Sequence, residues 1–186
     1  MFVRMMACAV TLGVALTLGG CAAAPRQPPA RLGLKLAPAA LGTSLSVQQH
    51  LTVARGGRTD DLDVALQVEP AAIDMVGLAF GQRVLTLHYD GKALTSWRHR
   101  MLPAQVRAED VLEDMQLALW PVAAIAAALP AGWAIEERAM TRTLSLAGQP
   151  VMRIVYSAAP RWSGTVVLDN LRYFYTLTIQ FAPNAD

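Results

Sequence analysis

Asp61-Leu62-Asp63-Val64-Ala65-Leu66-Gln67-Val68 is the stretch whose pattern decides the fold. Leu62, Val64, Leu66 and Val68 alternate with Asp61, Asp63, Ala65 and Gln67. A period of two places one set of side chains on each face of a strand, so one face is buried and the other wet. Pro70 ends the strand. Upstream, Val47, Leu51 and Val53 oppose Gln48, His50 and Thr52, and Arg55-Gly56-Gly57-Arg58 reads as a hairpin loop. Downstream, residues 72–80 are more uniformly apolar and are punctuated by Gly81-Gln82. Val84–Tyr89 and Ala93–Arg98 form another hairpin around Asp90-Gly91, a strong turn signal. Five consecutive antiparallel strands are expected before residue 100.

The middle of the chain changes period. Glu109 and Asp110 open a helix, where carboxylates favour the positive end of the dipole. Val111, Leu112, Met115, Ala118 and Leu119 follow at helical spacing. Trp120-Pro121 interrupts it, because the residue before proline resists the α region. Pro121 opens a second short helix, with Val122, Ile125 and Leu129 on one face and Pro130 as its stop. Strands resume with Trp133–Glu137. Thr141–Leu146 and Val151–Tyr156 flank the turn Ala147-Gly148, and Thr165–Leu168 and Tyr173–Phe181 follow. The plan is five strands, two helices, five strands. The fold expected is mainly β with central helices (α+β): a curved antiparallel sheet or incomplete β-barrel with a helical lid.

The amino terminus carries a second signal. Leu18-Gly19-Gly20-Cys21 closes an apolar stretch that begins after Arg4, the form of a bacterial lipoprotein signal. Met5–Leu18 is shorter than the ~20 residues a spanning helix needs. The expectation is cleavage before Cys21, acylation of its thiol and new amino group, and anchoring to a membrane without spanning it. Residues 1–20 are then the signal, 21–40 the lipidated cysteine and an Ala- and Pro-rich extended tether, 41–182 the folded domain and 183–186 a tail. Ala22 stands where an aspartate would retain lipoproteins of enterobacterial type in the inner membrane. The expected location is therefore the outer membrane, facing the periplasm.

Composition narrows the chemistry. Sixteen basic and fourteen acidic residues nearly balance, and no basic patch is large enough for nucleic acid. The two cysteines, Cys8 and Cys21, leave with the signal or carry lipid, so the mature domain has no thiol for a disulfide, a nucleophile or a thiolate metal site. No Gly-x-Ser-x-Gly elbow exists, and Ser163 and Ser44 stand in no catalytic motif. His50, His88 and His99 lie on strands without metal-ligand spacing. Asp60, Asp61 and Asp63 lack the glycine and glutamate of a calcium loop. Glu113-Asp114 and Glu136-Glu137 are adjacent pairs that point apart. No catalytic residue, metal or cofactor is expected.

The apolar helices are the positive signal. Met115, Leu119, Trp120, Ile125, Leu129 and Trp133 are the candidates to line a site for a hydrophobic ligand, with Trp97 and Trp162 near its rim. The alternative is that these side chains fill the core. The chain would then be a structural or assembly lipoprotein with an envelope protein partner, bound through a sheet edge or the helices.

The segments Leu112–Pro121 and Ala128-Leu129-Pro130-Ala131-Gly132-Trp133 resemble a family of Gram-negative lipoproteins often encoded beside aryl-polyene pigment biosynthesis genes. Gly148-Gln149-Pro150-Val151, Ile154-Val155-Tyr156, Trp162-Ser163-Gly164, Leu168-Asp169-Asn170 and Tyr175–Ile179 fit it too, while Phe174 stands where that pattern has glycine. Val76–Arg83 is more distantly similar to the strand-turn-strand region of the LolA and LolB lipoprotein carriers. That resemblance implies an open β-barrel with a helical lid over an apolar cavity, and an acyl chain, a lipoprotein or an aryl-polyene lipid as cargo.

Overall fold

The computed structural model describes residues 31–183. Ten strands and two helices follow one another in the expected order. The strands are β1 Leu45–Arg55, β2 Arg58–Glu69, β3 Ala72–Ala79, β4 Gln82–Tyr89 and β5 Leu94–Arg98 before the helices α1 Ala108–Leu119 and α2 Val122–Ala128. After them come β6 Trp133–Arg138, β7 Thr141–Leu146, β8 Gln149–Tyr156, β9 Thr165–Asn170 and β10 Tyr175–Phe181. All ten form one antiparallel sheet in the order β5-β4-β3-β2-β1-β10-β9-β8-β7-β6. Each half is a meander, and the halves join where β1 pairs β10, from Gln49 opposite Phe181 to Arg55 opposite Tyr175. The sheet is open, with β5 and β6 as its edges.

Alternation fixes which face is inside. Val64, Leu66 and Val68 of β2 are buried while Asp63, Ala65 and Gln67 are exposed. The apolar run of β3 proves amphipathic as well. Ile73, Met75 and Gly77 face inward, and Val76 and Leu78 face out. Gly77 is tight for a packing reason, because a Cβ there would come within 3.1 Å of the Leu62 side chain and 3.3 Å of Leu85. The Asp90-Gly91 turn forms as its chemistry requires. The Asp90 carboxylate accepts from the Lys92 and Ala93 N–H groups at 2.8 and 2.7 Å, and Gly91 takes a φ of 87°. β10 begins at Tyr175, two residues later than periodicity predicts, because Phe174 lies in the turn with φ 56°. Phe174 thus adopts the left-handed backbone for which glycine is the usual residue.

The inward faces of both halves meet one continuous core, which includes Leu66, Ile73, Leu87, Ile154, Leu168 and Ile179. Helix α1 crosses that face, and every residue from Leu112 to Trp120 is buried. One apolar face on so long a sheet is consistent with a curved sheet closed over by the helices.

The stretch expected as a tether is described only from Arg31 onward. From there to Ala37 it has no regular secondary structure and bends at Gly33, which takes a φ of 73°, and it then makes a single 3₁₀ turn, Pro38–Leu41. Leu34, Leu36 and Leu41 belong to the core, and Leu32 packs against it. Among the described residues, side chains ahead of residue 41 thus already pack with the core. Cys21, the signal and residues 184–186 lie outside the described residues.

Candidate functional site

Helix α1 carries Glu113, Asp114 and Gln116 in an otherwise apolar run, and all three are buried. Buried polar groups need partners, and the segment 31–37, a strap along α1, supplies them. The Glu113 carboxylate accepts from the Gly33 N–H at 2.5 Å and from the Leu34 N–H at 3.2 Å. The Gln116 amide accepts from the Leu36 N–H at 2.9 Å and donates to the Leu36 carbonyl at 2.8 Å. Trp120 Nε1 donates to the Ala37 carbonyl at 3.2 Å. Positions 113, 116 and 120 share one helix face, so this face acts towards the strap as a neighbouring strand would.

Arg31 closes the arrangement at the strap's outer end. Its guanidinium lies 3.4 Å from Asp110, 3.8 Å from Glu113 and 3.2 Å from Asp114. It also donates to the Tyr175 hydroxyl at 3.2 Å, while that hydroxyl donates to Asp114. Burial pushes the Asp114 carboxyl up to about 7 against the pull of Arg31, and the neighbouring Glu113 and Asp110 charges push the same way. Burial likewise raises Glu113, opposed by the Gly33 N–H and Arg31. Glu113 and Asp114 do reach different groups, the strap backbone and Tyr175, but one arginine bridges both.

The other end of α1 is held from the sheet. Arg142 of β7 is fully buried, and its Nη1 donates to the carbonyl of Leu117 at 2.5 Å. The Tyr156 hydroxyl donates to the Ala118 carbonyl at 2.7 Å. These donors satisfy last-turn carbonyls that have no partner within the helix, and the positive charge suits the dipole there. Glu137 binds Arg142 at 2.7 Å and Arg161 at 2.5 Å. Burial works against the Glu137 carboxylate, but the hydrogen bonds from Arg161 and Arg142 outweigh it and hold it below the usual range.

Four of the six expected ligand-lining residues come together inside. Met115, Leu119, Trp120 and Ile125 are all buried in one cluster, and Leu129 and Trp133 pack against it half-buried. The space beside Trp133, between Leu32 and Tyr173, holds about 10 Å³, room for one water at most. Of the expected rim residues, Trp97 is exposed under the Arg83 guanidinium at 5.3 Å, and Trp162 is half-buried against the core. Helix α2 is held differently from α1. Ile125 is its one buried residue, and Ala123, Ala126, Ala127 and Ala128 face out.

His50 and His88 stand on the outer face, whereas His99, expected on a strand, follows the end of β5 with its ring 6.0 Å from that of Trp97. His50 lies opposite Asp63 at 2.8 Å, and His88 lies opposite Asp74 at 2.7 Å. Ser163 donates to the Pro160 carbonyl at 2.6 Å. Among the described residues no group of three His, Cys, Asp or Glu is placed to hold a metal ion. No helix among them is long and apolar enough to cross a membrane.

Periodicity alone did not single out the strap, Arg31, Gln116 or Arg142. The available signal was a Glu, an Asp and a Gln inside a run that is otherwise all core, because each such group demands a partner. A family model described as "Protein of unknown function (DUF3261)" matches residues 46–182, from β1 to the end of β10. The comparison with curated proteins finds no match.

Proposed function

The chain belongs to the DUF3261 family, and from its own residues we propose a non-enzymatic outer-membrane lipoprotein, anchored through Cys21, that binds or transfers a hydrophobic ligand. The ligand is an acyl chain, a lipoprotein acyl group or an aryl-polyene lipid. The finer architecture we propose is a LolA/LolB-like half-barrel whose lid is α2. The observation that carries this is the unequal hold on the two helices. The first half of α1 is tied to segment 31–37 through Asp110, Glu113 and Asp114, and its last turn is held through Gln116 and the Leu117 carbonyl, whereas Ile125 is the one buried residue of α2. Elements with few buried contacts open first. Moving α2 withdraws Ile125 from the core and leaves apolar space beside Leu119 and Trp120. Burial of an apolar ligand there is favourable by ~25 cal/mol per Å².

The test is the mass of the full chain purified natively from the envelope, before and after organic extraction. A stoichiometric lipid or pigment that is lost in Ile125→Glu supports the carrier. The same adduct retained in Ile125→Glu removes α2 as the lid. A clean apo mass with no uptake from an envelope lipid extract overturns the carrier.

A second function is favoured by the packing itself. Met115, Leu119, Trp120 and Ile125 are buried in the interior, as in a purely structural core. The open edges β5 and β6 then offer a protein partner a strand to pair with. A protein that co-purifies with the apo chain, and is lost when proline is placed in β5 or β6, supports that function.

A further inference from the structure

The turn between β9 and β10 and the turn between β1 and β2 stand side by side, because Arg55 pairs with both Tyr175 and Arg58. A groove of about 530 Å³ runs between them. Phe174, at the tip of one turn, is 80 % exposed, and Leu171 beside it is 49 % exposed. Phe174 sits at φ 56°, a strained backbone for a bulky side chain, without core contact to offset it. On the other turn Arg55 and Arg58 flank Gly56-Gly57, and both are exposed. The acidic neighbours are partly occupied, Asp60 lying 3.8 Å from Arg58 and Asp169 accepting from the Thr176 hydroxyl at 2.8 Å.

The chain enters the described structure at this same place. Arg31 lies 4.4 Å from the centre of the Tyr173 ring and 5.5 Å from that of Tyr175. Nine residues lie between Cys21 and Arg31, so ten Cα-to-Cα steps join them. Fully extended they reach at most ~36 Å. The far end of β1, eleven residues long, is another ~35 Å away at ~3.3 Å per residue.

We propose that this pair of turns is the surface by which the protein lies against an anionic phospholipid bilayer. The proposal rests on the lipid anchor at Cys21. Phe174 and Leu171 enter the interfacial layer, where an aromatic ring is favoured. Arg55 and Arg58 meet headgroup phosphates, with the apolar stems of their side chains against the groove. The short leader holds this end at the membrane.

The experiment uses the full lipidated chain in vesicles of phosphatidylcholine and phosphatidylglycerol. An environment-sensitive fluorophore is placed at Phe174→Cys, and separately at Lys92→Cys in the β4–β5 turn at the opposite end of the sheet. The expected result is a blue-shifted label at 174 that lipid-borne nitroxides quench, an unquenched label at 92, and loss of quenching at 174 in Arg55→Glu/Arg58→Glu. A label at 174 as exposed to water as that at 92, on chains that still float with the vesicles, overturns the docking surface and leaves the anchor standing. Protection at 174 without lipid quenching assigns the surface to a protein or a second copy and also overturns it. A chain that fails to float with vesicles overturns the anchor, and the docking surface with it.

Discussion

The side-chain amide of Gln116 satisfies both backbone polar groups of Leu36, accepting from its N–H at 2.9 Å and donating to its carbonyl at 2.8 Å. Eighty residues separate the two positions, and the contact joins the strap to α1 where neither is open to water. Gln116→Ala strands both groups of Leu36. Each buried unpaired group costs about 1–3 kcal/mol. The expected loss of unfolding free energy is roughly 2–4 kcal/mol, read by urea denaturation. A loss below about 0.5 kcal/mol, the range of ordinary surface changes, would show that the strap contributes nothing to the folded unit.

Arg142 is the corresponding hold at the helix's other end. Arg142→Met keeps the apolar bulk but leaves the Leu117 carbonyl without this donor and Glu137 with Arg161 alone. Breaking a buried ion pair by removing one partner costs about 3–5 kcal/mol. Lysine should rescue little, since it cannot reproduce the forked geometry that reaches Glu137 and the helix carbonyls together. Equal stability of Arg142→Lys and the parent chain would refute this.

Stability should fall as pH rises from about 4 to about 7. Burial lifts the Asp114 carboxyl from 3.8 to about 7, so the folded chain binds this proton more tightly than the unfolded chain does. The raised Glu113 acts in the same sense. A raised acid contributes stability that is complete below its unfolded pKa and is lost as pH rises through the folded one. Melting temperature against pH checks the sign. Asp114→Asn, which cannot titrate, should flatten the slope across that window, and an unchanged slope would exclude Asp114 as its source.

Replacing Phe174 with glycine should stabilise the protein. Left-handed backbone costs an L-residue about 1–2 kcal/mol, and glycine's greater freedom in the unfolded chain returns part of that. The net gain expected is about 0.5–1 kcal/mol by chemical denaturation. Phe80, 95 % exposed at φ 51° in the β3–β4 turn, should behave alike as Phe80→Gly. In Phe174→Gly the gain should come with weakened bilayer contact. A destabilised Phe174→Gly would mean that the ring makes contacts that hold the turn.

Sequence alone determined the local elements. Alternation at Leu62, Val64, Leu66 and Val68 specifies a strand with one wet face, whatever it later pairs with. The spacing of Leu112, Met115 and Leu119 specifies a helix, Pro121 divides it, and Asp90-Gly91 makes a turn through contacts three residues away. Each of these rests on interactions within one element or between neighbours, so the local pattern carries all the information needed. Tertiary structure decided what no local pattern encodes: that β1 pairs β10 to fuse two meanders, that the chain from Arg31 onward lies on α1, and that Arg142 and Arg31 hold opposite ends of one helix. Periodicity says which face of an element must be covered and is silent on what covers it. The cover is chosen by burial and hydrogen-bond satisfaction across the whole chain, where Glu113, Asp114 and Gln116 each had to find a partner about sixty or more residues away.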